Sequence, residues 1–455
     1  MSAGLSNDRS VREAYEADAS GLHLVPDFVA RPESVAEVLE ILRRARSERT
    51  PVTCAGAQTS TTGASITDTG ILMSLRALDG ISSVDRAMRT VRVGPGALVG
   101  DIRRAAAVAD LLFAPDPTSE EESTIGGAVA CNASGARTFK YGATRRYVTA
   151  LKVAMATGEV MDFRRSNLEK NTVGYSFAHD PIDWFIGSEG TLGVIVEAEL
   201  ALLPLPGDVI GLAIFFASEE EALRFVVTAR ESSVVAPRCI EFFDAQAVAI
   251  ARNDPCGEGV PPTAAAMVYV EEEITRGRDV TLDGWTEVVE SISAEFDPMV
   301  FEGEASLREA RKMRHSIPST MNDRGSKYRS TGGRKVSTDW AVPYRKLEEA
   351  VHIARALAAD HGVEQAVIYG HAGNGHPHQN FIARDSGELA TIEKVIELTL
   401  NHVLRLGGTV AAEHGIGKIK RKWLSLQMNP LQIAMMTAVK RELDPLGILA
   451  PGNIL

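Results

Sequence analysis

The chain has only four cysteines, Cys54, Cys131, Cys239 and Cys256, and no two of them form a CxxC pair. This scatter excludes an iron–sulfur cluster built from this chain alone and fits a reducing cytoplasm. No apolar run approaches the ~20 residues that a membrane span needs. The polar N-terminus lacks the core of a signal peptide, so a cytoplasmic protein is expected, with peripheral attachment to a membrane left open. Positive charge is also short: 48 Lys and Arg stand against 60 Asp and Glu, a net charge of −12. That balance argues against a nucleic-acid binder, but it says nothing about a local positive pocket. Internal repeats and low-complexity segments are missing too.

What is present is length and ordinary globular composition. The 455 residues are 45% hydrophobic and 24% charged, and a chain of this size suggests two or three domains. Apolar residues at Val35, Val38, Leu39 and Leu42 follow Pro32-Glu33-Ser34 at helical spacing. Extended runs are expected at Pro51–Thr53, Gly70–Leu75, Thr90–Val93, Ala150–Ala156 and Gly193–Leu203, with a helix from Leu98 to Ala109. Pro204-Leu205-Pro206-Gly207 reads as a linker. Beyond it, strands at Val209–Phe216, Ala264–Glu271, Val336–Ala341 and Gln365–Tyr369 alternate with helices at Glu219–Glu231, Leu282–Phe296 and Tyr344–His361. This pattern predicts an α+β layer with helices on one face of a sheet.

Two segments near the C-terminus propose a chemistry. Gly370-His371-Ala372-Gly373-Asn374-Gly375-His376-Pro377-His378 holds three of the ten histidines, and Glu413-His414-Gly415-Ile416-Gly417 puts a carboxylate beside a fourth. Two imidazoles and a carboxylate suit Zn²⁺ or a similar divalent ion, and a further histidine suits a proton acceptor. Taken alone, a Gly/His loop is more often an ordinary surface turn than a metal site.

Three loops of small residues occupy the first half. Ala55-Gly56-Ala57-Gln58-Thr59-Ser60 follows a strand and can turn successive N–H groups toward an anion, or serve as an ordinary turn. It is neither a P-loop nor GxGxxG. Ser123-Thr124-Ile125-Gly126-Gly127 and the residues on to Gly135 offer backbone bare enough for a planar ligand or for a tight packing crossover. Ile186-Gly187-Ser188-Glu189-Gly190-Thr191-Leu192-Gly193 repeats the theme.

Together with the tail Leu443–Asn453, these loops resemble the flavin-dependent enzymes of the vanillyl-alcohol oxidase (PCMH-type FAD-binding) superfamily. The resemblance spans Gly21 to Leu455. It implies a two-domain PCMH-type FAD-binding fold with an α+β cap of antiparallel sheet plus helices. The implied divisions are 1–206 for FAD binding, 207–410 for the cap, and 411–455 returning to the FAD domain. The first loop (Ala55, Gly56, Ala57, Gln58, Thr59, Ser60) would hold the pyrophosphate. Pro115, Thr118, Ser123, Gly126, Gly127, Asn132, Ser134, Glu189, Gly190, Gly193, Ile195 and Asn453 would complete the cofactor site. Two departures stand out: Ala55-Gly56-Ala57-Gln58-Thr59 replaces the usual Arg-Gly-Ala-Gly-Thr, and Asn453 replaces a frequent lysine. With no histidine or tyrosine between Pro51 and Asp68, non-covalent FAD is expected.

Within the superfamily, the histidine segments are similar to the metal-dependent branch acting on D-2-hydroxy acids such as D-lactate, glycolate and D-2-hydroxyglutarate. That likeness maps His371, His378 and Glu413 onto the metal ligands, with Zn²⁺ expected and Mn²⁺ or Fe²⁺ as alternatives. It maps His414 onto the general base and leaves His376 unassigned. Arg314, Lys335 and Asn380 would bind substrate. The implied reaction takes the hydroxyl proton and passes hydride to flavin N5. Its electron acceptor stays open among a quinone, an electron-transfer flavoprotein, a cytochrome, an iron–sulfur partner and oxygen, and a homodimer is compatible. Two alternatives share the fold: a non-redox flavoenzyme like alkyl-glycerone-phosphate synthase, and a flavoprotein subunit of a multi-component oxidase with a structural metal.

Overall fold

The computed structural model describes residues 4–175, 180–292 and 295–455. The chain divides into two compact units, one of Met1–Gly135, Gly142–Leu205 and Glu413–Leu455, the other of Ala136–Tyr141 and Pro206–Ala412.

In the first unit, β1 (Leu5–Ser6), β2 (Phe28–Ala30), β3 (Val52–Ala55) and β4 (Ile71–Ser74) form a sheet in the order β1-β2-β4-β3. Both β2 and β3 run parallel to β4. Between the strands lie α1 (Arg9–Glu13) and α2 (Val35–Glu48). Ser34 starts α2 by accepting the Glu37 amide, a standard N-cap. Val38, Ile41, Leu42 and Ala45 then line one helical face and share a core with Val52, Ile71 and Met73, the amphipathic pattern read from the sequence. A second sheet is antiparallel in the order β5-β9-β7-β8, from β5 (Thr90–Val93), β7 (Val148–Ala154), β8 (Val160–Arg164) and β9 (Val194–Ala201). The short β6 (Leu111–Leu112) pairs with β10 (Leu203–Pro204), so the first residue of the expected linker, Pro204, is strand. Helices α3 (Val99–Ala107) and α4 (Ile125–Cys131) complete this part. The small-residue stretch after Ser123 is thus largely helical, capped by Thr124 and by a left-handed Asn132. The tail also belongs here: Val52 N–H donates to Ile448, and Ala450 N–H donates to Val52.

The second unit opens with α5 (Thr138–Tyr141) and is built on one antiparallel seven-stranded sheet. Its strands are β11 (Val209–Phe216), β12 (Pro237–Phe243), β13 (Ala266–Glu273), β14 (Met299–Glu302), β15 (Gly332–Ser337), β16 (Gln365–His371) and β17 (His376–Asp385). They lie in the order β14-β11-β13-β12-β16-β17-β15. Helices are α6 (Glu219–Glu231), α7 (Ala245–Arg252), α8 (Arg278–Glu290), α9 (Gly303–Ser326), α10 (Leu347–Asp360) and α11 (Ser386–Arg405). The expectation of helices on one face only is corrected. Phe215 packs with α7 and α9 residues such as Val248, Met313 and Ile317. Its neighbour Phe216 stacks instead on Phe225 of α6, which meets Trp285 of α8. Because adjacent strand residues point to opposite faces, both faces are covered. The expected helix Leu282–Phe296 begins earlier, as α8, and its residues 293–294 lie outside the described residues. The last helices, α12 (Leu424–Gln427) and α13 (Pro430–Leu443), belong to the first unit.

Candidate functional site

In the first unit, the loop after β3 is a cradle of backbone. Among the described residues, no acceptor meets the N–H groups of Gly56, Ala57, Gln58, Thr59 or Ser60. Five consecutive amides without acceptors, in a half-buried loop, fit an anion such as a pyrophosphate. The loop's shape has identifiable causes. Gln58 takes a left-handed conformation at φ 57°, and its side-chain amide donates to Tyr15 and Ser65 carbonyls. Gly56 must be glycine, because a Cβ there would lie 2.1 Å from Thr124 Oγ1. Ser123 Oγ, buried beside the start of α4, also lacks a partner among the described residues.

Other expected cofactor residues are engaged within the protein. Asn132 Oδ1 accepts the Arg145 amide, and Ser134 Oγ donates to Glu413 Oε2 at 3.1 Å. Asn453 donates to Ala64 and Glu189 carbonyls and accepts from Lys418 Nζ. Pro115 gives its carbonyl to Arg103. Gly193 packs so tightly that a Cβ would meet Val153 at 2.4 Å, and Ile195 is buried. Glu413 Oε1 lies 3.3 Å from His414 Nε2.

In the second unit, the hairpin of β16 and β17 brings His371, His376 and His378 together. Their ring centroids lie 4.7 to 5.5 Å apart, and all three are buried. Gly370 at φ 128° and Gly375 at φ 68° shape the turn. His371 Nδ1 lies 2.6 Å from Glu241 Oε1, and His376 Nε2 lies 3.1 Å from Asp339 Oδ1. Such carboxylates orient imidazoles for metal binding. A ring nitrogen of His371 and one of His376 lie within 4.8 Å of each other, so these donors fit a divalent cation. His376, unassigned from sequence, is thus part of the same buried group.

Glu241 also receives Arg314 Nε at 3.1 Å. Burial pushes its carboxyl up, but the His371 and Arg314 charges outweigh burial and hold it at about 2. The expected substrate arginine therefore has part of its fork committed to Glu241. Three residues earlier on α9, half-buried Arg311 makes no hydrogen bond or ion pair among the described residues. Burial, then the charges of Arg137 and Arg238, press its pKa below the ordinary arginine value. Those two arginines share Glu271, at 3.0 and 2.7 Å. Burial pushes Lys335 down to about 8, and its Nζ donates to Asn322. Asn380 is fully buried in β17, where its Nδ2 donates to the His378 carbonyl and its Oδ1 has no partner among the described residues.

Comparison with known proteins follows the same division. Residues 206–454, more than half the chain, match the family "FAD linked oxidases, C-terminal domain", and residues 26–164 match "FAD binding domain". The chain belongs to the FAD-linked oxidases. The glycolate oxidase subunit GlcD of Bacillus subtilis is 29% identical over 447 residues, covering 97% of this chain and 92% of the relative. A D-lactate dehydrogenase of Archaeoglobus fulgidus is 30% identical over 443 residues, covering 94% and 91%. A solved alkyldihydroxyacetonephosphate synthase shares the fold, with TM-score 0.72, 18% identity and coverage of 98% of this chain and 82% of that one. As an FAD-linked oxidase, the protein carries the domains of an FAD-binding oxidoreductase of the dehydrogenase type acting on CH–OH donors. No helix among the described residues is long and apolar enough to cross a membrane.

Sequence reasoning about this FAD-linked oxidase missed Glu241, Asp339 and Arg311. One signal was available: Glu241 is the lone charge in the apolar strand segment Cys239-Ile240-Glu241-Phe242-Phe243, and a carboxylate so placed is buried only when paired.

Proposed function

We propose that this enzyme oxidises a small D-2-hydroxy acid to the 2-oxo acid. The observation that carries the reading is the buried trio of imidazoles, two of them backed by carboxylates. The curated relatives support the substrate class, being a glycolate oxidase subunit and a D-lactate dehydrogenase. His371 and His378 would hold the cation, with Glu413 completing the donor set and His376 in support. When bound, the cation would lower the pKa of the substrate hydroxyl and FAD would accept hydride at N5. The protein's own contributions are a base and an anchor. His414 takes the hydroxyl proton, as an imidazole beside a carboxylate can. Arg311, which makes no hydrogen bond or ion pair among the described residues, grips the substrate carboxylate in bidentate fashion. Arg314 stays with Glu241 and orients His371 from behind, while Lys335 and Asn380 supply further polar contacts to the substrate. The reduced flavin then requires an external electron acceptor.

Anaerobic mixing with lactate, glycolate, malate and 2-hydroxyglutarate, each chiral acid as both enantiomers, tests this proposal. One D-acid should bleach the flavin, and His414→Ala should slow bleaching by roughly 100- to 10,000-fold while FAD stays bound. Undiminished bleaching in that variant would overturn the base assignment.

A second reading is a flavoenzyme without net redox, like the alkyldihydroxyacetonephosphate synthase whose fold it shares. The third buried imidazole, His376, favours it, being one more than the two imidazoles and carboxylate that the first reading's cation needs. Under this reading no hydroxy acid leaves stably reduced flavin.

A further inference from the structure

The loop that carries His414 is fixed by a residue that the sequence assigns to the cofactor. Glu189 is buried, in the left-handed region at φ 52°. Its Oε1 accepts the Ile416 N–H at 2.6 Å and its Oε2 accepts the Gly417 N–H at 2.8 Å. Gly415, the residue after His414, sits at φ 77°, and a Cβ on it would lie 2.4 Å from Glu189 Oε1. The Glu189 main chain is held as well: its N–H donates to Ala130, and its carbonyl accepts from Asn453. Two further contacts grip the same loop, Thr62 Oγ1 to the His414 carbonyl and Lys420 Nζ to the Gly415 carbonyl. Both carboxylate oxygens of Glu189 therefore have loop amides as partners. A buried carboxylate that receives two main-chain donors is a rigid staple, since losing it strands both donors.

We propose that Glu189 is the positioning residue of His414, setting the height and tilt of the imidazole through the Gly415–Gly417 backbone. The inference rests on the reading of His414 as the base. Catalytic groups displaced by about 1 Å can lose roughly 100-fold in rate, so the staple acts on the chemical step and not on FAD.

The test uses the full-length holoenzyme and the hydroxy acid that bleaches the wild-type flavin. Glu189→Ala should slow flavin reduction at saturating substrate by about 100-fold, leave KM within about threefold, and leave FAD affinity by fluorescence titration unchanged. Glu189→Gln, which keeps one acceptor oxygen, should recover part of the rate and serves if the alanine variant does not fold. In a His414→Ala background, Glu189→Ala should cause no further loss, because both act through one imidazole. Weakened FAD binding with normal reduction in the loaded fraction would overturn the proposal, as would additive losses in the double variant. A wild-type rate in His414→Ala overturns the base reading and this inference together. A slow His414→Ala beside a wild-type Glu189→Ala overturns the inference alone.

Discussion

In the first unit, the groups offered to ligands and to loops are mostly main chain: the amides of Gly56 to Ser60, and the Ile416 and Gly417 N–H groups that Glu189 collects. The second unit works with buried side-chain charge, in the chains Arg314–Glu241–His371 and Arg137–Glu271–Arg238. This difference teaches how each unit tolerates change. A backbone cradle depends on conformation, so the departures at Ala55 and Gln58 from the resembled loop leave its amides in place. A buried charge network depends on every member, because removing one leaves its partners charged and dry.

The largest expected effect lies at Glu241. Glu241→Ala should destabilise the second unit by about 3–5 kcal/mol, the usual cost of stranding a buried partner. Metal affinity should fall about 10- to 100-fold as His371 loses its orienting carboxylate. Denaturant melts of metal-free protein and a metal titration check both. An unchanged melt would mean that the second unit does not depend on its charges.

Arg311 sharpens the contrast from within the same unit. Making no hydrogen bond or ion pair among the described residues, it should behave unlike Glu241 on removal. Arg311→Leu should leave stability level or improve it, since a half-buried unpaired charge disappears. It should also weaken substrate binding by about 1.5–3 kcal/mol, the range for a charge-assisted bond. Melting curves and KM for flavin reduction separate the two effects. A loss of stability with KM unchanged would make Arg311 a structural cation instead.

The sequence made the backbone sites legible because composition exposes them: glycine, alanine and serine after strands mark where main chain is bare. The histidine hairpin was legible from density alone, since Gly370 and Gly375 frame a turn that gathers three imidazoles. The partners of these groups were not legible. Glu241 lies 130 residues from His371 in sequence, and β12 meets β16 only through the sheet order. Helix α9 was hidden for a different reason. Pro318 sits inside its 24 residues, where proline ordinarily breaks or kinks a helix. Tertiary packing of Leu307, Ala310, Met313, Ile317 and Met321 on the sheet overrides that local signal. The covering of both sheet faces was equally hidden, because Phe215 and Phe216 are both apolar and carry no alternation to read.

The smallest effect belongs to a side-chain charge cluster of the first unit that resembles the second unit's networks. On the β5-β9-β7-β8 sheet, Arg92 pairs in register with Glu199, Glu199 with Ala150, and Ala150 with Arg164. Ala150 is small, so Arg164 reaches over it to Glu199 at 2.6 Å, while Arg92 approaches from the other side at 3.1 Å. The Arg164 hydrogen bond outweighs burial and holds the Glu199 carboxyl at about 2. A depressed carboxyl stabilises the fold above its unfolded value near 4.5 and loses that contribution as pH falls toward 2. Both arginines are more than half exposed, so screening keeps the contribution at about 1 kcal/mol. Glu199→Gln should therefore lower stability by that amount at pH 7, and the gap should close between pH 4.5 and 2. A loss of several kcal/mol, or one that persists at pH 2, would give the first unit a charge network of the second unit's kind and erase the distinction between them.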